Sequence, residues 1–223
     1  NRNGIGIGSS TGIDRNETTG LNNFIVGAAI HHQVFDNREC SRTPRFDGNG
    51  VTISEIAHVK NAMRKDGVAL AHFFAWLEQA LEHKDDITEL TIAEKLLEYR
   101  SQQLGFIGES FATIAGFNEN GALPHYHATQ QSFAKIEGNG LLLIDSGGQY
   151  EEGTTDITRT VKVGEVSDEM RQQFTRVLQG HIAIDRVRFP KGTSGIQLDI
   201  LARMPLWQAG FNYDHGTGHG VGA

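Results

Sequence analysis

Residues 141–163 read LLLIDSGGQYEEGTTDITRTVKV, and this stretch predicts two neighbouring strands. The apolar run over 141–144 predicts a buried strand that ends on Asp145, and the alternation over 155–163 predicts a second strand with one polar face. A Gly-containing turn separates the two strands, which favours antiparallel pairing. Asp156 lies early on the second strand, so pairing would bring Asp145 and Asp156 together on one side of a sheet.

Two neighbouring carboxylates in a partly buried site repel each other, and one takes up a proton unless a cation lies between them. The chain has a single cysteine, Cys40, so a metal at this site would be bound by carboxylates and imidazoles rather than by thiolates. Such an oxygen-rich ligand set suits Mn²⁺ best, and also Co²⁺ or Zn²⁺. The alternative is structural: Asp145 caps its strand and Asp156 forms an ion pair with Arg159.

Candidate histidines lie in a glycine-rich segment, where residues 215–222 read HGTGHGVG. A helix would place His215 and His219 on one face, but the surrounding glycines favour a loop or a strand end. One imidazole could then bind a metal while the other hydrogen-bonds a substrate; the alternative is a turn with incidental histidines. His125, which follows Pro124, could donate to a substrate carbonyl or a tetrahedral oxyanion, or be an ordinary surface residue.

Helical periodicity precedes the strand pair. A long amphipathic helix is predicted from Ser54 to Leu81, and a second one starts at Thr91, which forms a capping-box pattern with Glu94. A short strand is expected over 111–116. Helices followed by strands and then by more helices indicate an α+β fold with a mainly antiparallel sheet.

Two further helices follow the strand pair. Ser167 is the predicted N-cap of the first, whose buried stripe is expected at Met170, Phe174, Val177 and Ile182. The second is predicted over 196–209. It contains Pro205, which is expected to bend or split it.

The composition excludes several classes of protein. The 223 residues carry 20 Lys and Arg against 27 Asp and Glu, and a net charge of −7 argues against non-specific nucleic-acid binding. No apolar run is long enough to span a membrane and no secretory signal is visible, so a soluble, cytoplasmic protein is expected. Residues 1–50 are rich in Gly and Asn, which predicts an irregular leader of unclear origin before a domain at 51–223.

Taken together, three motifs resemble aminopeptidase P, the X-Pro aminopeptidase branch of the pita-bread metallopeptidases. The resemblance runs from about residue 54 to residue 223. The motifs are IDSGGQY at 144–150, GTTDITRT at 153–160 and HGTGHGVG at 215–222, with shorter matches at 180–181, 189–193 and 206–207.

The resemblance implies a pita-bread fold with a curved antiparallel sheet, and a site for two divalent metals, commonly Mn²⁺. Asp145 would bind one metal, Asp156 would bridge both and His219 would bind the other. His215 and His125 would orient the substrate and stabilise the tetrahedral intermediate. The implied reaction is attack by a metal-bridging hydroxide on the carbonyl carbon of an X-Pro bond, which releases the N-terminal residue of a peptide.

Within the family, two further metal ligands are glutamates that follow the His-Gly-Thr-Gly-His loop, and the sequence ends at Ala223. We therefore expect a partial, truncated catalytic domain that binds metal weakly and has little activity as 223 residues, with an exposed sheet edge and a possible homodimer. Prolidase, methionine aminopeptidase and a non-catalytic peptide-binding member of the fold are the alternatives.

Overall fold

The structure is a computed structural model that describes residues 53–190 and 192–220. The predicted irregular leader, 1–50, lies outside the described residues. In chain order the elements are α1 (Ile53–His83), α2 (Glu89–Ser101), β1 (Phe106–Phe117), a 3-10 helix (Asn118–Ala122), β2 (Gly140–Tyr150), β3 (Gly153–Thr154), β4 (Ile157–Val163), α3 (Asp168–Arg186) and α4 (Gly195–Trp207).

Strand β2 is the centre of an antiparallel sheet. It pairs with β1 on one side and with β3 and β4 on the other, so the predicted antiparallel pairing of the two motif strands is confirmed. The sequence predicted that this strand ends on Asp145, and that prediction is wrong, because β2 continues to Tyr150. Gly147 permits this continuation: a Cβ there would lie 2.0 Å from the Thr155 carbonyl oxygen and 2.2 Å from Ser110 Oγ.

Both faces of β2 are covered by apolar side chains. Leu142 and Ile144 belong to one core with residues of α1 and α2, whereas Leu141 and Leu143 belong to a second core with residues of α3 and α4. Side chains alternate between the faces of a strand, so Asp145 lies on the face of Leu141 and Leu143. A continuous apolar run is the pattern expected of a strand buried on both sides.

Helix α2 begins earlier than the sequence suggested. Thr88 is the N-cap, and its hydroxyl accepts a hydrogen bond from the backbone N–H of Thr91 at 3.2 Å while the Thr91 hydroxyl accepts from the N–H of Thr88. The predicted box of Thr91 and Glu94 is therefore wrong by one turn. The reciprocal geometry is that of a capping box, with threonine in place of the usual Glu or Gln at N3.

Helix α3 begins at the predicted N-cap, since Ser167 Oγ accepts from the Met170 N–H at 3.1 Å. Its predicted buried stripe is only partly correct: Val177 is buried, but Phe174 and Ile182 are 39% and 43% exposed. The helix instead buries the side that carries Gly180, where α3 and α4 approach closely. The residues buried along α3 are Gln173, Val177, Gly180 and Ile184.

Helix α4 is not split at Pro205, which lies in the last turn of an uninterrupted helix. Proline has no N–H to donate, so one hydrogen bond of the helix is lost there, and the helix nevertheless continues to Trp207. Within the described ranges, none of the helices combines the length and the hydrophobicity that crossing a membrane requires.

Candidate metal centre

Asp145 lies in the middle of β2, directly opposite Thr158 of β4. Its side chain is 8% exposed, and Oδ1 accepts a hydrogen bond from Thr158 Oγ1 at 2.7 Å. A carboxylate buried to this degree needs donors or a cation nearby to compensate for lost hydration. Thr158 provides one such donor and fixes the direction of the carboxylate.

Asp156 and His219 are brought into direct contact, although they lie far apart in the sequence. Asp156 Oδ2 is 3.1 Å from His219 Nε2. Asp156 immediately precedes β4, two residues before Thr158, where extended chain places it on the face that carries Asp145. The alternative partner, Arg159, donates to the carbonyl oxygen of Thr158 at 2.8 Å.

The geometry of this contact fits a shared divalent ion. Ligand atoms bound about 2.1 Å from one ion lie about 3 Å apart, close to the spacing between Asp156 Oδ2 and His219 Nε2. The other ring nitrogen of His219, Nδ1, is 2.9 Å from the Gly220 carbonyl oxygen. Metal-binding histidines commonly use one nitrogen in this way, which directs the second nitrogen at the metal. Carboxylate and imidazole together suit Mn²⁺, Co²⁺ or Zn²⁺.

In the described part of the chain, the contact between Asp156 and His219 does not extend to a group of three ligands. Within residues 53–190 and 192–220, no three His, Cys, Asp or Glu side chains form a group that could hold a metal ion. The structure thus brings Asp156 to His219 and places Asp145 on the adjacent strand with Thr158. The role of Asp145 as a third ligand stays a prediction.

The glycine-rich segment is a loop, as the sequence predicted. Residues 211–220 form neither helix nor strand. The ring of His215 packs against the buried Tyr213 at a tilt of 33°, with centroids 4.9 Å apart, and its Nδ1 is 2.8 Å from the Gly216 carbonyl oxygen. A Cβ added at Gly216 or Gly220 would meet no described atom within 4 Å, so crowding by the described residues does not explain these glycines.

His125 lies on an exposed loop after the 3-10 helix. The loop is nevertheless held firmly by its neighbour: Tyr126 donates its hydroxyl hydrogen to Glu89 Oε2 at 2.7 Å. The catalytic role predicted for His125 stays a prediction.

Glu89 is an anchor that sequence reasoning missed. Its carboxylate is 1% exposed and accepts hydrogen bonds from Tyr126, from the backbone N–H groups of Phe117 and Ala134, and from the Asn120 amide. Burial and this hydrogen bond raise the pKa of Tyr126 to about 12. Glu89 lies two residues before the predicted start of the helix at Thr91, where an acidic residue indicates at most a favourable interaction with the helix dipole.

Comparison with known proteins identifies the relatives of this chain. Residues 57–223 match metallopeptidase family M24. The chain is similar to aminopeptidase P2 of Arabidopsis thaliana, with 51% identity over 170 residues that cover 76% of this chain and 24% of that protein. The chain spans less than a third of the length of the curated relatives it matches.

Solved structures give a consistent result. The chain is similar to an X-prolyl aminopeptidase from Caenorhabditis elegans, described as a cytosolic enzyme with a di-nuclear active site, at 40% identity and a TM-score of 0.74 over 77% of this chain and 28% of that one. It is also similar to a prolidase from Thermococcus sibiricus, at 28% identity and a TM-score of 0.63 over 76% of this chain and 44% of that one.

Proposed function

The chain belongs to metallopeptidase family M24 and has its pita-bread fold, and from that premise we propose that the protein containing it is a metal-dependent aminopeptidase. The substrate class is peptides with proline in second position, from which the enzyme releases the N-terminal residue. Higher identity and TM-score to the X-prolyl aminopeptidase than to the prolidase support this choice.

One observation carries the proposal. Asp156 and His219, each selected from the sequence as a metal ligand, are 3.1 Å apart in the folded chain. This distance fits a hydrogen-bonded ion pair and equally two ligands of one ion, and the presence of both residues in motifs of a metallopeptidase family favours the second interpretation.

The proposed ligands are Asp145, Asp156 and His219, and Mn²⁺ is the proposed metal of a two-metal site. Divalent cations held there would supply Lewis-acid chemistry to amide hydrolysis. His215, fixed by the Tyr213 ring, and His125 would orient the substrate carbonyl by hydrogen bonding. Thr158 donates to Asp145 Oδ1 and so holds this carboxylate on the face of the sheet that carries Thr158.

Proline in second position is consistent with such a site. An X-Pro bond is a tertiary amide without an N–H group, so a site that requires no hydrogen bond from that nitrogen can accept it. We also propose a cytosolic location, supported by the description of the nematode relative, and a homodimer, to be checked by sedimentation analysis of the purified protein.

The decisive experiment measures peptide cleavage by the full-length protein, first after removal of metal and then after loading with Mn²⁺. Cleavage of Arg-Pro-Pro, dependent on Mn²⁺, is the expected result. Asp156→Asn and His219→Ala should each lower kcat/KM by about a hundredfold or more, since each removes a ligand. The exposed His58→Gln on α1 is the matched control and should match the parent protein.

Other outcomes identify the alternatives. Cleavage restricted to X-Pro dipeptides would indicate a prolidase, and preference for Met-Ala peptides a methionine aminopeptidase. Binding of peptide without turnover by the Mn²⁺-loaded protein would indicate a non-catalytic member of the fold. Unchanged activity after complete removal of metal would contradict the proposal directly.

A further inference from the structure

Arg203 of α4 uses its whole guanidinium group to hold the loop that carries the two histidines. Nε donates to Asp199 Oδ2 at 2.6 Å, one turn earlier in the same helix. The terminal nitrogens donate to backbone carbonyl oxygens of the loop, that of Tyr213 at 2.7 Å and that of His215 at 3.0 Å. A further bond of 3.2 Å reaches Asn212 Oδ1. The fork of one side chain thus joins helix and loop at four acceptors.

Asp199 completes the connection from its other oxygen. Oδ1 accepts a hydrogen bond from the hydroxyl of Thr217, which lies midway between His215 and His219. The same Thr217 hydroxyl is 2.5 Å from the hydroxyl of Tyr213, whose ring is 1% exposed and lies 3.8 Å below the Arg203 guanidinium. The loop is therefore held by the carbonyl groups of Tyr213 and His215 and by the side chains of Asn212 and Thr217.

An anchor of this kind matters because the loop is rich in glycine. Residues 216, 218 and 220 are all Gly, the residue that loses the most conformational freedom on ordering. Without external contacts, such a segment would visit many conformations in which His219 points away from Asp156. Holding a ligand in its bound position beforehand strengthens binding because the ordering cost is met during folding.

We propose that Asp199 and Arg203 are positioning residues that fix loop 212–217 so that His219 meets Asp156. The inference rests on the proposed function, because it assigns the contact between His219 and Asp156 to metal binding. Neither positioning residue contacts the metal or substrate in this proposal. They act through the backbone of the loop.

A purely structural role for the pair makes a different prediction. Asp199 and Arg203 are spaced i, i+4 on α4, with side chains 33% and 15% exposed, and ion pairs of this kind contribute little to stability. If the ion pair were the function, lysine at 203 would replace arginine, since it keeps the charge. Lysine is a point charge without the planar fork, so it cannot serve the carboxylate and both carbonyl groups together.

The test therefore uses Arg203→Lys in the full-length protein, with two measurements. Hydrogen exchange of the amides at 212–219 should speed up by about tenfold or more, because the loop opens more often. Affinity for Mn²⁺ alone, followed by the electron paramagnetic resonance of the free ion, should fall by about tenfold or more. Circular dichroism and the melting temperature should stay close to those of the parent.

Thr217→Val is the second variant, since it removes one tie to Asp199 without changing α4. It should give the same two effects, and it decides the question if Arg203→Lys does not fold. Arg171→Lys on α3 is the matched control: Arg171 also donates to a backbone carbonyl, that of Val166 at 3.1 Å, but it is exposed and its ion pairs are with Glu165 and Asp168. The control should leave both measurements unchanged.

Parent-like exchange and parent-like Mn²⁺ affinity in Arg203→Lys and Thr217→Val would overturn the inference. Failure of the parent protein to bind Mn²⁺ would instead refute the metal site, and with it the link from the loop to metal binding. Hydrogen exchange would then still report whether Arg203 orders the loop, so the two failures are distinguishable.

Discussion

Polar residues alternate along β4, and at the residue scale they do not contribute equally to the site. Thr158 and Thr160 lie on the same face of the strand, the polar face that the alternation over 155–163 predicted. The Thr158 hydroxyl donates to Asp145, whereas the Thr160 hydroxyl is buried without a hydrogen-bond partner among the described residues. Position on a face is thus predictable from the period of the strand, but the partner of each hydroxyl depends on the register with β2.

Thr158→Val tests the contact with Asp145. Valine has nearly the same shape and removes the donor, so the free energy of unfolding should fall by about 2 kcal/mol. Mn²⁺ affinity should fall between about 10-fold and 100-fold, the usual effect of removing a hydrogen bond to a metal ligand. Urea unfolding and Mn²⁺ titration provide the two measurements.

Thr160→Val is the internal control for that variant. It removes a buried hydroxyl that gains no hydrogen bond in the described structure, so stability should stay the same or rise by about 1 kcal/mol. Equal losses of stability and affinity in both variants would show that the contact with Asp145 is not what matters.

The proposed ligand residues could be selected from the sequence because they lie in motifs shared with a known family. Asp145, Asp156 and His219 each also have a structural interpretation when taken alone, and the resemblance to aminopeptidase P is what proposed all three as ligands. Arg203 could not be identified in the same way, because an arginine on a helix is ordinarily solvated and two of its acceptors are backbone carbonyl groups. Backbone acceptors have no signature in the sequence.

At the scale of elements, the misplaced stripe of α3 has a simple steric cause. Hydrophobicity alone favours Phe174 and Ile182 as buried positions. Helices that pack closely need a small residue at the crossing point, and Gly180 supplies it. A Cβ at Gly180 would lie 2.2 Å from the Ala202 carbonyl oxygen of α4. Close approach at this glycine turns the larger side chains outward.

Gly180→Ala should therefore destabilise the protein, although alanine is the better helix former. Forced separation of α3 and α4 should cost about 1–3 kcal/mol of unfolding free energy, more than the gain of about 1 kcal/mol from helix propensity. Gly67→Ala in α1 provides the comparison, since a Cβ there meets no atom of the described residues within 4 Å. It should stabilise by about 0.5–1 kcal/mol. Chemical denaturation measures both, and a Gly180→Ala protein as stable as Gly67→Ala would contradict the packing argument.

On the scale of the whole molecule, the antiparallel pairing was predictable and the distribution of helices was not. A run of four apolar residues indicates a strand covered on both faces, and β2 is covered in this way. Which helices cover which face depends on the connections between elements. Tertiary packing settles this, and no local pattern encodes it.

Three tyrosines, of which Tyr150 and Tyr213 are buried and Tyr126 is half-buried, have raised pKa values that make the fold sensitive to alkali. Burial raises the pKa of Tyr126 to about 12, and burial likewise raises the pKa of Tyr150 and of Tyr213 above the ordinary value of 10.0. Asp66, which accepts the Tyr150 hydroxyl hydrogen at 2.9 Å, and Glu89, which accepts from Tyr126, add to the effect because their carboxylates disfavour a phenolate.

The sign of the resulting pH dependence follows from these directions. Above about pH 10 the unfolded chain loses the phenol protons that the folded protein retains, so the unfolded state is favoured. The contribution to stability is complete below about pH 10 and is lost as the pH rises through the folded-state values. Urea unfolding at about pH 9 and about pH 11 should show a fall in the free energy of unfolding, accompanied by tyrosinate absorbance.

Single substitutions assign this fall to particular residues. Tyr126→Phe and Tyr150→Phe remove one titrating group each, so each should reduce the difference in unfolding free energy between the two pH values by about 1 kcal/mol. Both variants should also be less stable than the parent at neutral pH, because Glu89 and Asp66 each lose a hydrogen-bond donor. A pH difference that is the same in the parent and in both variants would mean that the alkaline instability comes from other groups.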